Sequence, residues 1–228
     1  MLELLLNILF PKTCLGCEKV LLVQEKILCI NCLFDLPYFS QDGHSNNPLE
    51  KTFWGRINIE KAYAYLLFKK TGIVKNMIQE IKYNGNKNLA FEFGFRFGHK
   101  VSKELQIAGI NGIIAVPLHA KRLKKRGYNQ SEFIVQGMCK ATEIPNISHL
   151  VKRKIYTSTQ TSKSRIERWE NVSSIYEIDA ELYKLKNDAH FLLVDDVITT
   201  GATIESLAKA LQEAGSCKTS VAALAFAP

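Results

Sequence analysis

Two adjacent carboxylates, Asp195 and Asp196, close an apolar run and lead straight into a small, hydroxyl-rich turn in the stretch "FLLVDDVITTGAT". Such a turn can wrap a phosphate. Backbone N–H groups of Thr199, Thr200, Gly201, Ala202 and Thr203, with the threonine hydroxyls, supply donors. The helix expected next turns its positive end to the same place. Two acids would repel a bare phosphate, but carboxylates accept hydrogen bonds from a vicinal diol. A sugar phosphate satisfies both halves. Asp195 and Asp196 take the ribose hydroxyls, the threonine turn takes the 5′-phosphate, and a divalent ion near the diol relieves the remaining repulsion. The competing view is a strand end followed by a solvated turn; for two acids alone it would win, but the full pattern over residues 195–203 favours a site. A Walker loop is excluded because GxxxxGK[ST] and its lysine are absent, and a dinucleotide fingerprint because GxGxxG is absent.

Four of the six cysteines form two CxxC pairs, Cys14 with Cys17 and Cys29 with Cys32, eleven residues apart. Each CxxC knuckle offers two thiolates from a tight turn, and two knuckles complete a tetrahedral site. Gly16 eases the first turn. The expectation is a structural Zn2+ in a small ribbon; four thiolates leave no open position for a catalytic one. Cys139 and Cys217 read as core residues.

A third constellation is "AVPLHAKRLKKRGYNQ", which again follows an apolar strand with charge. Lys121, Arg122, Lys124, Lys125 and Arg126 lie within six positions. For any one lysine a solvated basic face is the better reading. Arg126 with Asn129 and Gln130 is different, since guanidinium and amide groups in one turn suit phosphate recognition. His119 is a candidate ligand contact.

The elements that must position these groups alternate. Residues 61–68 read as a strand, 71–83 as a helix, 89–105 as a helix and 112–117 as a buried strand. Residues 130–141 read as a helix, 191–194 as a strand, 204–214 as a helix stopped by Gly215, and 220–227 as a last strand. This is an α/β chain with a mainly parallel sheet flanked by helices. Residues 40–48 are a polar linker. The polar region 152–186 lacks periodicity and is too long for a passive loop, which makes it a mobile functional segment.

At 228 residues the chain can hold such a domain and a small appendage. Its net charge of +8 points to a polyanionic or phosphorylated partner without specifying the fold. "MLELLLNILF" is too short to span a membrane and has neither a basic flank nor a cleavage site, so it reads as a short amphipathic or packing segment. A cytoplasmic protein is expected.

"LLVDDVITTGAT" resembles the ribose-phosphate motif of type I phosphoribosyltransferases, especially the orotate and amidophosphoribosyl branches. "FPKTCLGC" with "LCINC", "IKYNG", "AVPLHAKRLKKRGYNQ" and "TQTSKSRIERWENV" narrow the resemblance to the ComF family of competence-associated proteins. It implies a type I phosphoribosyltransferase-like domain over residues 51–228, with a zinc ribbon, N-terminal helix and linker over residues 1–50. It also implies phosphoribosyl pyrophosphate (PRPP) with Mg2+ as ligand. Leu118 and His119 would then meet the pyrophosphate, with Arg122 and Arg126 neutralising its charge. The family pattern maps onto Gln160, Arg168 and Asn171, in a segment similar to the loop that closes over PRPP in related transferases. Trp169, beside Arg165 and Arg168, either stacks a nucleobase or anchors that loop. Thr199 stands where purine-salvage members carry an acid, which argues against purine salvage.

By the same resemblance the chain would handle single-stranded DNA during DNA uptake. Lys124, Lys125, Arg126, Arg165 and Asn171 would be among the phosphate contacts. A helicase-like translocase would be the partner, close to the inner membrane. The alternative is an active transferase that moves ribose 5-phosphate to an unidentified acceptor.

Overall fold

The computed structural model describes residues 11–40, 47–154, 175–179, 189–215 and 217–228. The expected segment over residues 1–10, the inner part of the polar linker, and Gln160, Arg165, Arg168, Trp169 and Asn171 lie outside them.

Four parallel strands form the central sheet: β1 (Ala62–Leu67), β2 (Gly112–Ala115), β5 (Ala189–Ile198) and β6 (Cys217–Phe226), in the order β1-β6-β5-β2. The two inner strands are buried on both faces, which is why "FLLV" and "VAALAF" read as unbroken apolar runs. Helices α3 (Ile73–Tyr83), α4 (Lys87–Ile107) and α6 (Gln130–Thr142) cover one face, meeting Leu192, Val194, Ala222 and Leu224. Helix α7 (Ala202–Ala214) covers the other through Ile204, Leu207, Ala208 and Leu211, against Phe191, Leu193, Val221 and Ala223. The α/β architecture read from the alternating pattern is the one present.

Helices α4 and α6 cross at close range. A Cβ on Gly94 would lie 2.2 Å from the Ile134 carbonyl oxygen, and one on Gly137 2.1 Å from that of Phe91. This contact fixes the N-terminus of α6, and with it Gln130 and Ser131, against the carboxyl end of β5.

Three features differ from expectation. Strand β5 continues four residues past Val194, because β6 pairs with it as far as Ile198. The two acids are therefore carried by the strand and not by a turn after it. The basic run is helical, forming α5 (Ala120–Arg126), which ends at Gly127 in the left-handed region with φ 77°. Within 152–186, short strands β3 (Val151–Arg153) and β4 (Tyr176–Ile178) pair antiparallel and pack on the α7 side through Val151 and Tyr176.

The four-cysteine segment, with helix α1 (Ile30–Phe34), joins the core on the α3–α4 side through Cys14, Leu28, Cys32 and Leu36. Gly16 serves close packing more than turn geometry: a Cβ there would sit 2.9 Å from Cys32 Sγ and 3.0 Å from Ile73 Cδ1. The left-handed residue of that knuckle is Glu18, with φ 61°. Helix α2 (Pro48–Lys51) leads into Phe53, which is fully buried with Leu49 on the α7 side.

Candidate functional site

The carboxyl ends of β2 and β5 and the turn after β5 surround a cavity of about 420 Å3. Asp195, Asp196, Thr199 and Thr203 line one side of it; Leu118, His119, Arg122, Arg126 and Gln130 line another. Groups far apart in sequence thus meet where open parallel sheets bind their ligands.

The acid pair is held from two helices. The Ser131 hydroxyl donates to Asp195 Oδ1 at 3.1 Å, and the Asp196 N–H donates to the same oxygen at 2.8 Å. Lys82, at the end of α3, places Nζ 3.0 Å from Asp196 Oδ1. Burial first, and the neighbouring Asp196 charge second, push the Asp195 carboxyl well above the usual carboxylate range. Two like charges side by side in a half-dry site leave one of them ready to accept a hydroxyl's hydrogen bond or to keep a proton.

Gly201 caps α7 in the left-handed conformation, with φ 71°. A Cβ there would meet Phe53 Cε1 at 2.6 Å, so the turn rests on that ring. Arg56 Nη1 donates to the Thr200 carbonyl at 2.7 Å and to that of Thr52 at 3.0 Å, and its other terminal nitrogen pairs with Glu205 on α7. Arg56 therefore occupies the Thr200 carbonyl and ties the turn to α7. Thr199, Thr200, Ala202 and Thr203 are exposed.

The basic segment divides. Arg126 turns inward: Nη1 donates to Gln130 Oε1 at 2.9 Å, and its guanidinium lies 5.5 Å from the Tyr83 ring centroid. With its oxygen taken, Gln130 has a buried Nε2 donor that finds no acceptor among the described residues. Arg122 lines the cavity, while Lys124 and Lys125 stay on the exposed face of α5. His119 caps α5, its Nδ1 accepting from the Lys121 N–H at 3.2 Å. Asn129 departs from the expected phosphate contact. It is buried, its Nδ2 donates to the Val116 carbonyl at 3.1 Å, and its Oδ1 caps α6 at the Ser131 N–H. Both ends of that amide are engaged inside the protein.

Sequence reasoning missed Lys82, Ser131 and Arg56, and did not single out Arg153, which lies in the 152–186 segment and also lines the cavity. Only Lys82 had a signal, as the lysine of "IKYNG". The buried Tyr128 hydroxyl, donating to the Ile81 carbonyl, ties that helix end to the "RGYNQ" turn.

The second centre is the cysteine quartet. The sulfurs of Cys14, Cys17, Cys29 and Cys32 all lie within 4.8 Å of one another. The Cys17 and Cys29 sulfurs are 3.7 Å apart, close to the edge of a tetrahedron built on Zn–S bonds of about 2.3 Å. Burial raises the Cys14 thiol, but N–H groups of Cys29, Cys17 and Gly16 outweigh it and bring it to about 6. Burial and the neighbouring thiols push Cys32 up. The donor set fits Zn2+ and no open coordination position remains. The acid pair fits Mg2+ less completely, because one oxygen of Asp196 already faces Lys82.

A larger groove of about 680 Å3 opens between Val20, Val23 and Phe91. It is mainly apolar, with Lys12, Lys26, Glu25 and Glu92 at its edge, and it lies away from the carboxyl ends of the strands.

Comparison with known proteins gives a match of residues 92–228 to the phosphoribosyl transferase domain. Competence protein F of Haemophilus influenzae is 29% identical over 210 residues, covering 89% of this chain and 85% of that protein. Competence protein ComFC of Streptococcus pneumoniae is 30% identical over 65% of this chain and 61% of its own length. DNA utilization protein YhgH of Escherichia coli is 30% identical over 48% of this chain and 46% of its own.

Proposed function

The chain belongs to the phosphoribosyl transferase domain family, on its ComF side, and from that premise we propose that it binds PRPP or a ribose 5-phosphate group while serving DNA uptake. The observation that carries this is the single cavity holding Asp195, Asp196, Thr199 and Thr203 against Leu118, His119, Arg122 and Arg126. The acids accept from the ribose diol. The threonine turn and the N-terminus of α7 receive the 5′-phosphate. Backbone at Leu118 and His119 meets the pyrophosphate, with Arg122 and Arg126 supplying charge. Mg2+ would come with the pyrophosphate, the remaining oxygens of Asp195 and Asp196 being the protein groups able to hold it, and it would supply screening of the phosphate charge.

The relatives named for competence and DNA utilization support work on DNA. On this chain the exposed Lys124 and Lys125 lie next to the cavity and suit a single strand's phosphates. From the ComF resemblance we further propose a place beside the DNA-uptake machinery, with a helicase-like translocase as partner. Among the described residues no helix is long and apolar enough to cross a membrane.

Calorimetric titration with PRPP and Mg2+, alongside a short single-stranded oligonucleotide at rising salt, tests the reading. Heat with PRPP that vanishes in Asp195→Asn/Asp196→Asn, and oligonucleotide binding that weakens steeply with salt, are expected. Absence of heat with PRPP sinks the ligand assignment. The second reading, an active transferase, is favoured by the retained acid pair; it requires pyrophosphate release that depends on an added acceptor.

A further inference from the structure

The ribose subsite already contains a cation of its own. Lys82 Nζ is 3.0 Å from Asp196 Oδ1, with the two side chains only 20% and 9% exposed. We propose that the Lys82 ammonium is the resident counter-cation of this subsite, so that a ribose 5-phosphate group is held there without a divalent metal. Metal is then needed only by ligands that bring a pyrophosphate. The proposal rests on the ribose-phosphate reading of the same cavity and adds how the acid pair is neutralised.

Three observations carry it. The first is coordination. Mg2+ demands near-octahedral oxygen ligation at short, well-defined distances. Here one oxygen of Asp196 faces Lys82, and one oxygen of Asp195 accepts from Ser131 and the Asp196 N–H. Among the described residues the one cluster of three or more metal-ligating groups is the cysteine quartet.

The second is placement. Lys82 lines the cavity and is not on a remote flank. Val74, Met77, Ile78 and Ile81 bury one face of α3, and Tyr128 fixes the Ile81 carbonyl, so the next residue is delivered to the end of β5 by a rigid element. An ammonium has three donors, so one facing Asp196 leaves others for a ligand hydroxyl or phosphoryl oxygen.

The third is charge. Lys82, Arg122, Arg126 and Arg153 line the cavity against Asp195 and Asp196, so cations already outnumber acids there. A dianionic phosphate monoester finds its counter-charges within the protein, whereas a pyrophosphate brings further negative charge that this set does not cover.

The test is calorimetric titration of the whole zinc-loaded chain with ribose 5-phosphate, in magnesium-free buffer and again with Mg2+ added. Wild type should bind with affinities that differ by less than about twofold between the two buffers. Lys82→Met should lose about tenfold or more without Mg2+ and recover part of it when Mg2+ is present. Lys82→Arg, which keeps the cation, should retain metal-free binding, and zinc content with circular dichroism checks that each variant is folded. Wild-type binding that appears only on adding Mg2+, or a folded Lys82→Met that binds as tightly as wild type without it, overturns this proposal and leaves the ribose-phosphate site standing. Absence of ribose 5-phosphate binding in both buffers overturns the site and the proposal together.

Discussion

Gly201 lies on the ring of Phe53: a Cβ at that glycine would approach Cε1 to 2.6 Å, and its φ of 71° already disfavours any other residue. Phe53 is fully buried and comes from the segment before β1, so the ring has no room to retreat. Gly201→Ala therefore meets both left-handed strain and overpacking. It should cost about 2–4 kcal/mol in urea denaturation and abolish ribose 5-phosphate binding. Arg56→Met, which leaves the fold of the turn to its own devices, should weaken phosphate binding while costing about 1 kcal/mol of stability or less, because that ion pair is partly exposed. Equal losses of stability in the two variants would refute this division of labour.

The acid pair predicts a pH dependence with a definite sign. Burial, then Asp196, raises the folded-state pKa of Asp195 above its unfolded value. The folded protein therefore holds a proton that the unfolded chain gives up, and the associated stability is full below the ordinary carboxylate range. It is lost as pH rises through the weakly acidic range. Asp195→Asn keeps an acceptor for Ser131 and removes that titration. At neutral pH and without ligand it should be more stable than wild type by about 1–3 kcal/mol, with a flatter profile of urea midpoint against pH. A variant less stable than wild type at neutral pH would contradict the raised carboxyl.

Much of this site was legible because its pieces are consecutive. Asp195 to Thr203 form one uninterrupted stretch, and CxxC pairs announce their own turns. The sheet was legible for a different reason: strands buried on both faces leave apolar runs, and the helices beside them keep a one-sided pattern, as in Val74, Met77, Ile78 and Ile81. The misses share a cause. Ser131 reaches Asp195 across 64 residues, and Arg56 reaches Thr200 across 144, distances over which no local pattern operates. Strands β3 and β4, of three residues each, are too short to show a period. Asn129 was misread because an amide beside an arginine looks the same in sequence whether it caps a helix or waits for a phosphate.

Zinc predicts a linked loss of metal and fold. Cys14 and Cys32 are buried in the same cluster as Val74 and Phe93, so the quartet is part of the main core on the α3–α4 side. One Zn2+ per chain is expected by atomic absorption. Cys32→Ser or removal by chelator should lower stability by several kcal/mol and shift the urea midpoint of the whole protein, not of a separate N-terminal transition. Two resolved transitions would show that the ribbon folds by itself.

Gln130 separates stability from binding most sharply. Its Oε1 accepts from Arg126, while its buried Nε2 lacks an acceptor among the described residues, an arrangement that costs about 1–3 kcal/mol unless a ligand oxygen completes it. Gln130→Leu removes the orphaned donor at similar volume but also frees Arg126, and the two effects oppose each other in the empty protein. Stability without ligand should then change by less than about 1 kcal/mol. Affinity for PRPP should fall about tenfold, since both the amide donor and the held guanidinium leave the pyrophosphate side of the cavity. Gln130→Glu discriminates further. Its carboxylate still holds Arg126 but offers no donor and adds negative charge, so binding should weaken at least as much as in the leucine variant. Retained affinity in Gln130→Glu, measured by the same titration, would mean that the amide nitrogen faces no ligand at all.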